Sequence, residues 1–131
     1  MRRRARAARE WFDFGRRDLE AARALIGVGG PMSPAGMLLQ QATEKYLKGY
    51  LIYHGWKLKK THDLTRLVAD LANYDRSFEP HLDTLQRISE YYLEERYPPL
   101  PSVSPSVAEM EASLHVVEQL AQHIERNVGP A

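Results

Sequence analysis

The most informative stretch of the chain is Gln40-Gln41-Ala42-Thr43-Glu44-Lys45-Tyr46-Leu47-Lys48, which is followed after Gly55 by Thr61-His62-Asp63-Leu64. On a helix, where each residue turns by about 100°, this segment and its flanks form one broad apolar face. The face consists of Ala35, Leu38, Leu39, Ala42, Tyr46, Gly49, Tyr50 and Tyr53. Lys45 falls inside it, and Gln41 and Lys48 lie on its margin. The stretch therefore predicts a central helix with polar groups where a plain core helix has none.

Those polar groups need partners, because lysine and glutamate side chains are rarely buried unless they are paired. Glu44 precedes Lys48 by four residues, so the two side chains can form an ion pair along the helix. The remaining groups would need a partner from another helix, a second subunit or a ligand. The alternative is that the lysine stems cover apolar surface while their ammonium groups reach water. The spacing alone leaves both interpretations open.

Apolar residues recur at helical spacing along the whole chain and no stretch alternates as a strand does, so we predict an all-α fold with five helices. The first helix ends at Gly27 to Pro31, where glycines and a proline interrupt it. Ser33 is the predicted N-cap of the second helix, with Pro34 at its first helical position. That helix is expected to run to about residues 54–55.

The third helix is expected to be shorter, with Thr61 as its N-cap and Asp63 in its first turn. Residues 75–80 are predicted to form a loop. The fourth helix is expected to stop before Pro98, and Pro98 to Pro105 to form an extended connector. The predicted apolar face of the fourth helix contains Leu82, Leu85, Ile88, Ser89 and Tyr92. A final amphipathic helix has Val107, Met110, Leu114, Val117, Ala121 and Ile124 on its apolar face.

Composition limits the class of protein. A chain of 131 residues with 44% hydrophobic content supports one domain with one core, spanning residues 1–131. The absence of cysteine excludes disulfides, thiolate zinc sites and a cysteine nucleophile, and is compatible with a reducing compartment. No apolar run approaches the roughly 18 residues of a membrane span, and no apolar stretch follows the first arginines as in a signal sequence. We therefore expect a cytoplasmic protein that does not enter membranes.

Charge is nearly balanced, at a formal +1, which argues against a strongly electrostatic nucleic-acid binder. The distribution is less even, because Arg2, Arg3, Arg4, Arg6 and Arg9 are crowded into the first nine residues. These side chains could reach phosphates or anionic partners. The alternative is a basic, frayed and solvated N-terminus over residues 1–8, since chain termini are often poorly ordered.

Four motifs in order along the chain resemble the HEPN domain family. They are Trp11-Phe12 with Arg17-Asp18-Leu19-Glu20-Ala21-Ala22, then Gln41-Ala42 with Glu44-Lys45 and Leu47-Lys48, then Thr61-His62-Asp63-Leu64, and finally Arg96-Tyr97-Pro98. The resemblance implies an up-and-down antiparallel bundle of four to five helices that usually forms a homodimer. It also implies a gene that is often encoded beside a minimal nucleotidyltransferase, and a family in which some members cleave RNA.

The RNA-cleaving members of the family have arginine followed by histidine after four to six residues. Arg96 matches the Arg-Tyr-Pro form, but the next histidine is His115, and Tyr97 with an ordinary pKa of about 10 is a poor general base. A literal match, Arg76 to His81, lies in the loop before the fourth helix, and such a short pattern also arises by chance. Arg96, Arg76 and His81 are therefore weak catalytic candidates.

Metal and cofactor signatures are absent from the sequence. His62 and Asp63 are adjacent, as in some metal phosphohydrolases, but the additional ligands are not evident. His115 and His123 are eight residues apart, whereas two imidazoles that bind one zinc ion from a helix are one turn apart. We expect neither a metal nor a cofactor, and a helix-capping or packing role for the His62 segment.

The tyrosines around Arg96 allow two interpretations. Tyr91, Tyr92 and Tyr97, with the lysines of the second helix, could stack a base and hold a phosphate. Alternatively, Tyr92 belongs to the core while Tyr91 and Tyr97 line a subunit interface, where an apolar ring with a polar tip is favoured.

These observations converge on one predicted binding site. It consists of Gln41, Glu44, Lys45, Lys48, His62, Asp63, Arg96 and Tyr97. The three cations among them would face a phosphate or an acidic partner group, and would be oriented by donating hydrogen bonds to Gln41 and Glu44. The predicted function is a binding or regulatory module that acts with a minimal nucleotidyltransferase in a toxin–antitoxin-like pair and binds a nucleotide. The alternatives are a metal-independent RNA-cleaving toxin and a purely structural dimerisation module.

Overall fold

The computed structural model describes residues 2–96 and 105–130, with side chains given for all of these except residues 92–96. The α-helices are α1 (Arg2–Gly27), α2 (Met32–Tyr53), α3 (Leu64–Leu71), α4 (Leu82–Arg96) and α5 (Val107–Asn127). A single 3-10 turn, Glu79–His81, precedes α4. The described ranges contain no strand, so the predicted all-α bundle is confirmed. None of these helices is long and apolar enough to cross a membrane.

The two longest helices, α1 and α2, run antiparallel and pack closely because small residues lie where they cross. A Cβ atom at Gly49 would lie 2.7 Å from Cε1 of Phe12 and 3.1 Å from the carbonyl oxygen of Ala8. Further along the contact, Gly15 leaves space for the ring of Tyr46, which stacks on Phe12 with 5.3 Å between ring centroids. The crossing therefore depends on glycines that neither helix needs for its own conformation.

Helix α5 lies along α1, where three arginines at seven-residue spacing bind it. Arg9 donates hydrogen bonds of 2.7 and 3.0 Å to two backbone carbonyl groups just beyond the end of α5. Arg16 pairs with Glu125, and Arg23 pairs with Glu118 at 2.8 Å. The side chains of Arg16 and Arg23 are nearly half exposed, so these pairs fix the alignment of α5 more than they stabilise the fold.

Apolar side chains from all five helices form one core. Its largest fully buried members are Phe12, Leu39, Tyr46, Leu47, Leu51, Leu64, Leu67, Leu71, Phe78, Leu85, Ile88 and Tyr91. Helix α2 contacts each of the other four α-helices. It is the central element that the sequence predicts.

Two helix starts differ from their predictions. Helix α2 begins at Met32 after Pro31, so Ser33 and Pro34 lie inside its first turn rather than at the cap and first position. Proline is tolerated there because the amide groups of a first helical turn have no intrahelical acceptor. Helix α3 is capped by Asp63, not Thr61.

The N-terminal segment and the fourth helix also correct the sequence analysis. A frayed segment is one of the two alternatives for residues 1–8; residues 2–8 instead form the start of α1, and Ala5 and Ala8 are buried in the core. In α4, Tyr91 is buried, whereas the side chain of Tyr92, the predicted core residue, lies outside the described residues. Residues 97–104, which hold most of the predicted proline-rich connector, also lie outside them.

Replacing Gly49 with alanine tests the α1–α2 crossing. Alanine favours a helix by about 1 kcal/mol over glycine, but here its Cβ would overlap Phe12 and the α1 backbone. We expect Gly49→Ala to lower the free energy of unfolding by about 1–3 kcal/mol, measured by urea denaturation. Gly27→Ala is the matched control, because no atom lies within 4 Å of the new methyl group. Equal stability of the two variants would contradict this packing.

Candidate functional site

The carboxylate of Glu44 lies at the centre of a polar cluster inside the bundle. Lys48 donates to its Oε2 at 3.0 Å, and the Gln40 amide donates to its Oε1 at 3.0 Å. His62, from the segment before α3, donates through Nδ1 to Oε1 at 2.7 Å. These four residues form the Glu44 cluster. The predicted pairing of Glu44 with Lys48 is present in the structure.

The Glu44 cluster is closed to solvent on the side of α2. Gln40 is fully buried, Lys48 is 5% exposed, and only 13% of the Glu44 side chain is accessible. The half-exposed imidazole of His62 lies over the open side, and its backbone carbonyl accepts a second bond from Gln40 at 3.3 Å. The cluster therefore holds the segment before α3 against the side of α2. The buried charges of Glu44 and Lys48 neutralise each other.

Gln40 takes the place that the sequence analysis gave to Gln41. Residues 40, 44 and 48 follow one another at four-residue spacing, so they lie in one row along α2. Gln41 lies in the neighbouring row and adds no hydrogen bond to this cluster within the described residues. The four-residue spacing on either side of Glu44 identifies Gln40. This spacing is a better guide to the partner of Glu44 than a position on the edge of the apolar face.

Lys45 points to a different neighbour from Lys48. Its ammonium group contacts the carboxylate of Asp18 on α1 and lies 6.0 Å from the centre of the Phe14 ring. The ammonium groups of Lys45 and Lys48 therefore contact different carboxylates. The sequence predicts instead that both face one phosphate or acidic group. Each lysine already has a carboxylate partner, from α1 in one case and from α2 in the other.

Asp63 has a local structural role. Its carboxylate accepts a hydrogen bond from the backbone amide of Thr65 at 3.0 Å, which caps α3. Thr61, the predicted cap, accepts from the amide of Asp63 at 3.2 Å instead. Asp63 thus lies beside His62 in the chain but does not join the Glu44 cluster.

The course of α4 bears on the predicted role of Arg96. Phe78, before α4, packs against Tyr50 near the end of α2, whereas Tyr91 lies against Gly36 near its start. Arg96 lies five residues, or about 7 Å, beyond Tyr91, and Lys48 lies about 18 Å from Gly36 in the opposite direction. Within one chain, α4 therefore leads away from the Glu44 cluster.

Two predicted site residues remain untested by these contacts. The side chain of Arg96 and the whole of Tyr97 lie outside the described residues. Tyr91 is described, and it is not available to stack on a base, because it is 1% exposed and its hydroxyl donates to Glu109 at 3.1 Å. Burial raises the pKa of Tyr91 to about 12.

A second polar cluster, centred on Asp75, was not identified from the sequence. Its carboxylate accepts hydrogen bonds from the Tyr50 hydroxyl at 2.8 Å, the Ser77 amide at 2.9 Å and Nε2 of His123 at 2.7 Å. Burial alone would raise the pKa of Asp75, but the hydrogen bonds from Ser77, His123 and Tyr50 hold it well below its ordinary value. The only local signal is an aspartate two residues before a serine, which is typical of a side-chain turn.

The Asp75 cluster does not form a catalytic serine triad. Such a triad needs the carboxylate on Nδ1 of the histidine and the hydroxyl on Nε2. Here the Asp75 carboxylate and the Ser77 hydroxyl, at 3.0 Å, both face Nε2 of His123. That nitrogen donates to the carboxylate, so it cannot also accept the serine proton.

The weak catalytic candidates before α4 lie next to this cluster. Arg76 is mostly exposed and pairs with Glu79 at 2.9 Å, which raises the pKa of Arg76. His81 borders, together with Ser77 and His123, a cavity of about 190 Å³. These residues lie at the end of α4 opposite Arg96. Among residues 2–96 and 105–130, no group of three or more His, Asp or Glu side chains is placed to hold a metal ion.

Comparison with known proteins identifies the fold. The model of the HEPN domain family matches residues 8–127, which is most of the chain. The chain belongs to the HEPN family. The solved structure of TT1696 from Thermus thermophilus is 27% identical and superposes with a TM-score of 0.78, over 96% of this chain and 98% of that one. ST0689, an archaeal HEPN homologue, is 20% identical, with a TM-score of 0.73 over 93% and 98% of the two chains. No protein of curated function matches the sequence.

Lowering the pH tests the Asp75 cluster of this HEPN domain. Because the folded state depresses the pKa of Asp75, its hydrogen bonds contribute fully above the ordinary aspartate pKa of about 4. The contribution is lost as the pH falls below that value toward the folded pKa. We expect Asp75→Asn to lower the free energy of unfolding by about 1–3 kcal/mol at pH 7.

The difference between wild type and Asp75→Asn should shrink progressively below about pH 4 in urea denaturation. Asp13→Asn is the control, because Asp13 is an exposed α1 residue whose only described ion pair is with Arg16 on the same helix. A difference that stays constant down to about pH 2, or no difference at neutral pH, would contradict the assignment.

Proposed function

We propose that this HEPN protein is a binding module that forms a homodimer and acts with a minimal nucleotidyltransferase, and that it is not an RNA-cleaving enzyme. The observation that supports this most directly is in the sequence after Arg96. Positions 101–103, where the RNA-cleaving pattern requires histidine, are Pro101, Ser102 and Val103. Without a histidine there, this part of the chain offers no group that takes up a proton from a 2′-hydroxyl near neutral pH.

The state of the lysines on α2 changes the nucleotide-binding part of the proposal. Lys48 is paired with Glu44, and Lys45 with Asp18, so neither brings uncompensated positive charge to a phosphate. Breaking a buried pair to bind a ligand would leave a carboxylate without its partner, at a cost of several kcal/mol. We therefore propose nucleotide binding for the complex with the nucleotidyltransferase, and a structural role for the Glu44 cluster.

The surface that best supports a homodimer lies on the outer side of α1. Phe14 is 56% exposed, and a cavity of about 300 Å³ beside it is lined by Glu10, Trp11, Phe14 and Lys45. Glu10 and Arg17 bear opposite charges on either side of the ring, with the Arg17 guanidinium 5.0 Å from its centre. A twofold interface pairs one patch with its own copy, so it needs both charges and an apolar centre on the same surface.

A single substitution in this patch tests the homodimer. We expect the wild-type protein to have twice the 15.0 kDa chain mass by light scattering, and Phe14→Asp to have the mass of one chain. The added carboxylates would face each other across the twofold axis, out of water. Val28→Asp is the matched control, because Val28 is 80% exposed and lies beyond the end of α1. A monomeric wild type, or a dimeric Phe14→Asp variant, would contradict the proposal.

The nucleotidyltransferase partner is tested in the same way. Co-expression with the nucleotidyltransferase reading frame expected beside this gene should yield one complex containing both chains, measured by size-exclusion chromatography with light scattering. Separate elution of the two chains at micromolar concentration, or a genome without such a neighbour, would overturn this part of the proposal. The homodimer could still form in that case.

RNA cleavage is the second candidate function, because Arg76 and His81 match the pattern and His81 borders the cavity with His123. Cleavage of a labelled single-stranded RNA in the presence of EDTA, lost in His81→Ala, would favour it over a binding module. The position of this pattern argues for the binding module, since Arg76 and His81 lie before α4, whereas the family pattern is expected to follow Arg96.

A further inference from the structure

The near-zero net charge of this chain conceals a strong separation of charge. Residues 1–9 and 54–61 contain eight of the 18 basic residues and none of the 17 acidic residues. The remainder has ten basic and 17 acidic residues, a formal charge of −7. The two basic segments are separated by 44 residues of sequence, from 10 to 53, so the sequence alone does not indicate that they meet.

The fold brings the two segments together at one end of the bundle. Gly55, just beyond α2, has a φ of +92°, which turns the chain sharply and favours glycine. The guanidinium of Arg4 packs over it, so that a Cβ atom at Gly55 would lie 3.0 Å from Nη1. Burial lowers the pKa of His54, the charge of Asp75 opposes this, and the charge of the nearby Arg4 lowers it as well. The first turns of α1 and the chain after α2 are therefore neighbours.

Seven exposed cations lie on these two segments, and we call them the basic patch: Arg2, Arg3, Arg4, Arg6, Lys57, Lys59 and Lys60. None of the seven forms an ion pair within the described part of the chain. The four arginines lie within about 6 Å along the axis of α1, and Lys57 follows two residues after Gly55. The approach of Arg4 to Gly55 is the contact that joins the two groups of cations. Arg9 is not a member, because it binds backbone carbonyl groups beyond α5.

An exposed aromatic ring lies beside the basic patch. Tyr74 is 51% exposed and stacks on His54, with 4.6 Å between ring centroids and 7° between ring planes. Arg4 packs over Gly55, the residue after His54, so the stack of Tyr74 on His54 lies next to the contact that joins the two basic segments. The two aspartates near Tyr74 in the sequence already accept hydrogen bonds from other side chains. Asp75 accepts from Tyr50 and His123, and Asp70 accepts from the indole of Trp56 at 3.1 Å.

We propose that the basic patch and Tyr74 together bind single-stranded nucleic acid. The phosphates would follow the cations, and a base would stack on the open face of Tyr74. Surfaces that combine a positively charged track with aromatic faces bind single strands with little sequence preference. An acidic protein segment would use the charges but not the flat ring. This surface shares no residue with the proposed dimer patch and does not depend on the nucleotidyltransferase partner.

Fluorescence anisotropy with labelled dT and rU strands of about 15 nucleotides tests the proposal on the full chain. We expect binding that weakens with salt, with a slope of log K against log salt of about −3 to −5, since four to seven phosphate contacts each contribute about −0.7. Lys59→Gln with Lys60→Gln should reduce that slope by about 1.4. Arg66→Gln with Arg126→Gln is the matched control, because it removes the same charge from exposed sites outside the patch and should leave the slope unchanged.

Tyr74 separates nucleic acid from an acidic protein partner. Tyr74→Ala should weaken binding at least about fivefold, as expected for loss of one stacked base, whereas Tyr74→Phe keeps the ring and should bind as the wild type does. No binding at low salt, an unchanged affinity in Tyr74→Ala, or equal competition by poly-glutamate of the same charge would each overturn the proposal. Unchanged melting temperatures of the variants would establish that folding is not the cause.

Discussion

The buried ion pair between Glu44 and Lys48 constrains the path of the chain after α2. Removing two charges from water costs several kcal/mol for each ion, and the pair is retained only if further hydrogen bonds complete it. Gln40 and His62 supply those bonds to Glu44, so the segment before α3 must return to the side of α2. Helix α3 then packs against α2 and α4, and the connection after Gly55 is held at the same end as the start of α1.

This constraint separates the interior from the surfaces that remain for partners. The cations of α2 are neutralised inside the bundle, by Glu44 for Lys48 and by Asp18 for Lys45. Two kinds of group remain exposed on the outside: the apolar Phe14 ring on α1, and the cations of the basic patch, which form no ion pair within the described residues. The polar motif of this HEPN domain thus contributes to its own architecture, and the two surfaces proposed above for binding lie on its outer faces.

Periodicity and local chemistry were sufficient to predict the helices, the central position of α2 and the Glu44–Lys48 pair, because all of these depend on residues close in sequence. Gln40 and Gln41 differ by about 100° of rotation around the helix axis. The predicted apolar face is too broad to show which of the two side chains points toward Glu44. The partner of Lys45 required the α1–α2 crossing, which close approach at Gly49 determines. The Asp75 cluster depends on His123, 48 residues away, and no local pattern indicates that distance. The predicted starts of α2 and α3 were wrong because several residues near each start can serve as N-caps.

A double-mutant cycle between Glu44→Gln and Lys48→Met measures the central ion pair most directly. Urea denaturation of the wild type, both single variants and the double variant gives the coupling energy between the two side chains. We expect a coupling of about 1.5–3 kcal/mol, because the pair is buried and charge-assisted. The same cycle on the exposed pair of Arg76 with Glu79 should give less than about 0.5 kcal/mol. An equally small coupling for Glu44 with Lys48 would show that the two charges are solvated rather than paired, and would contradict the account.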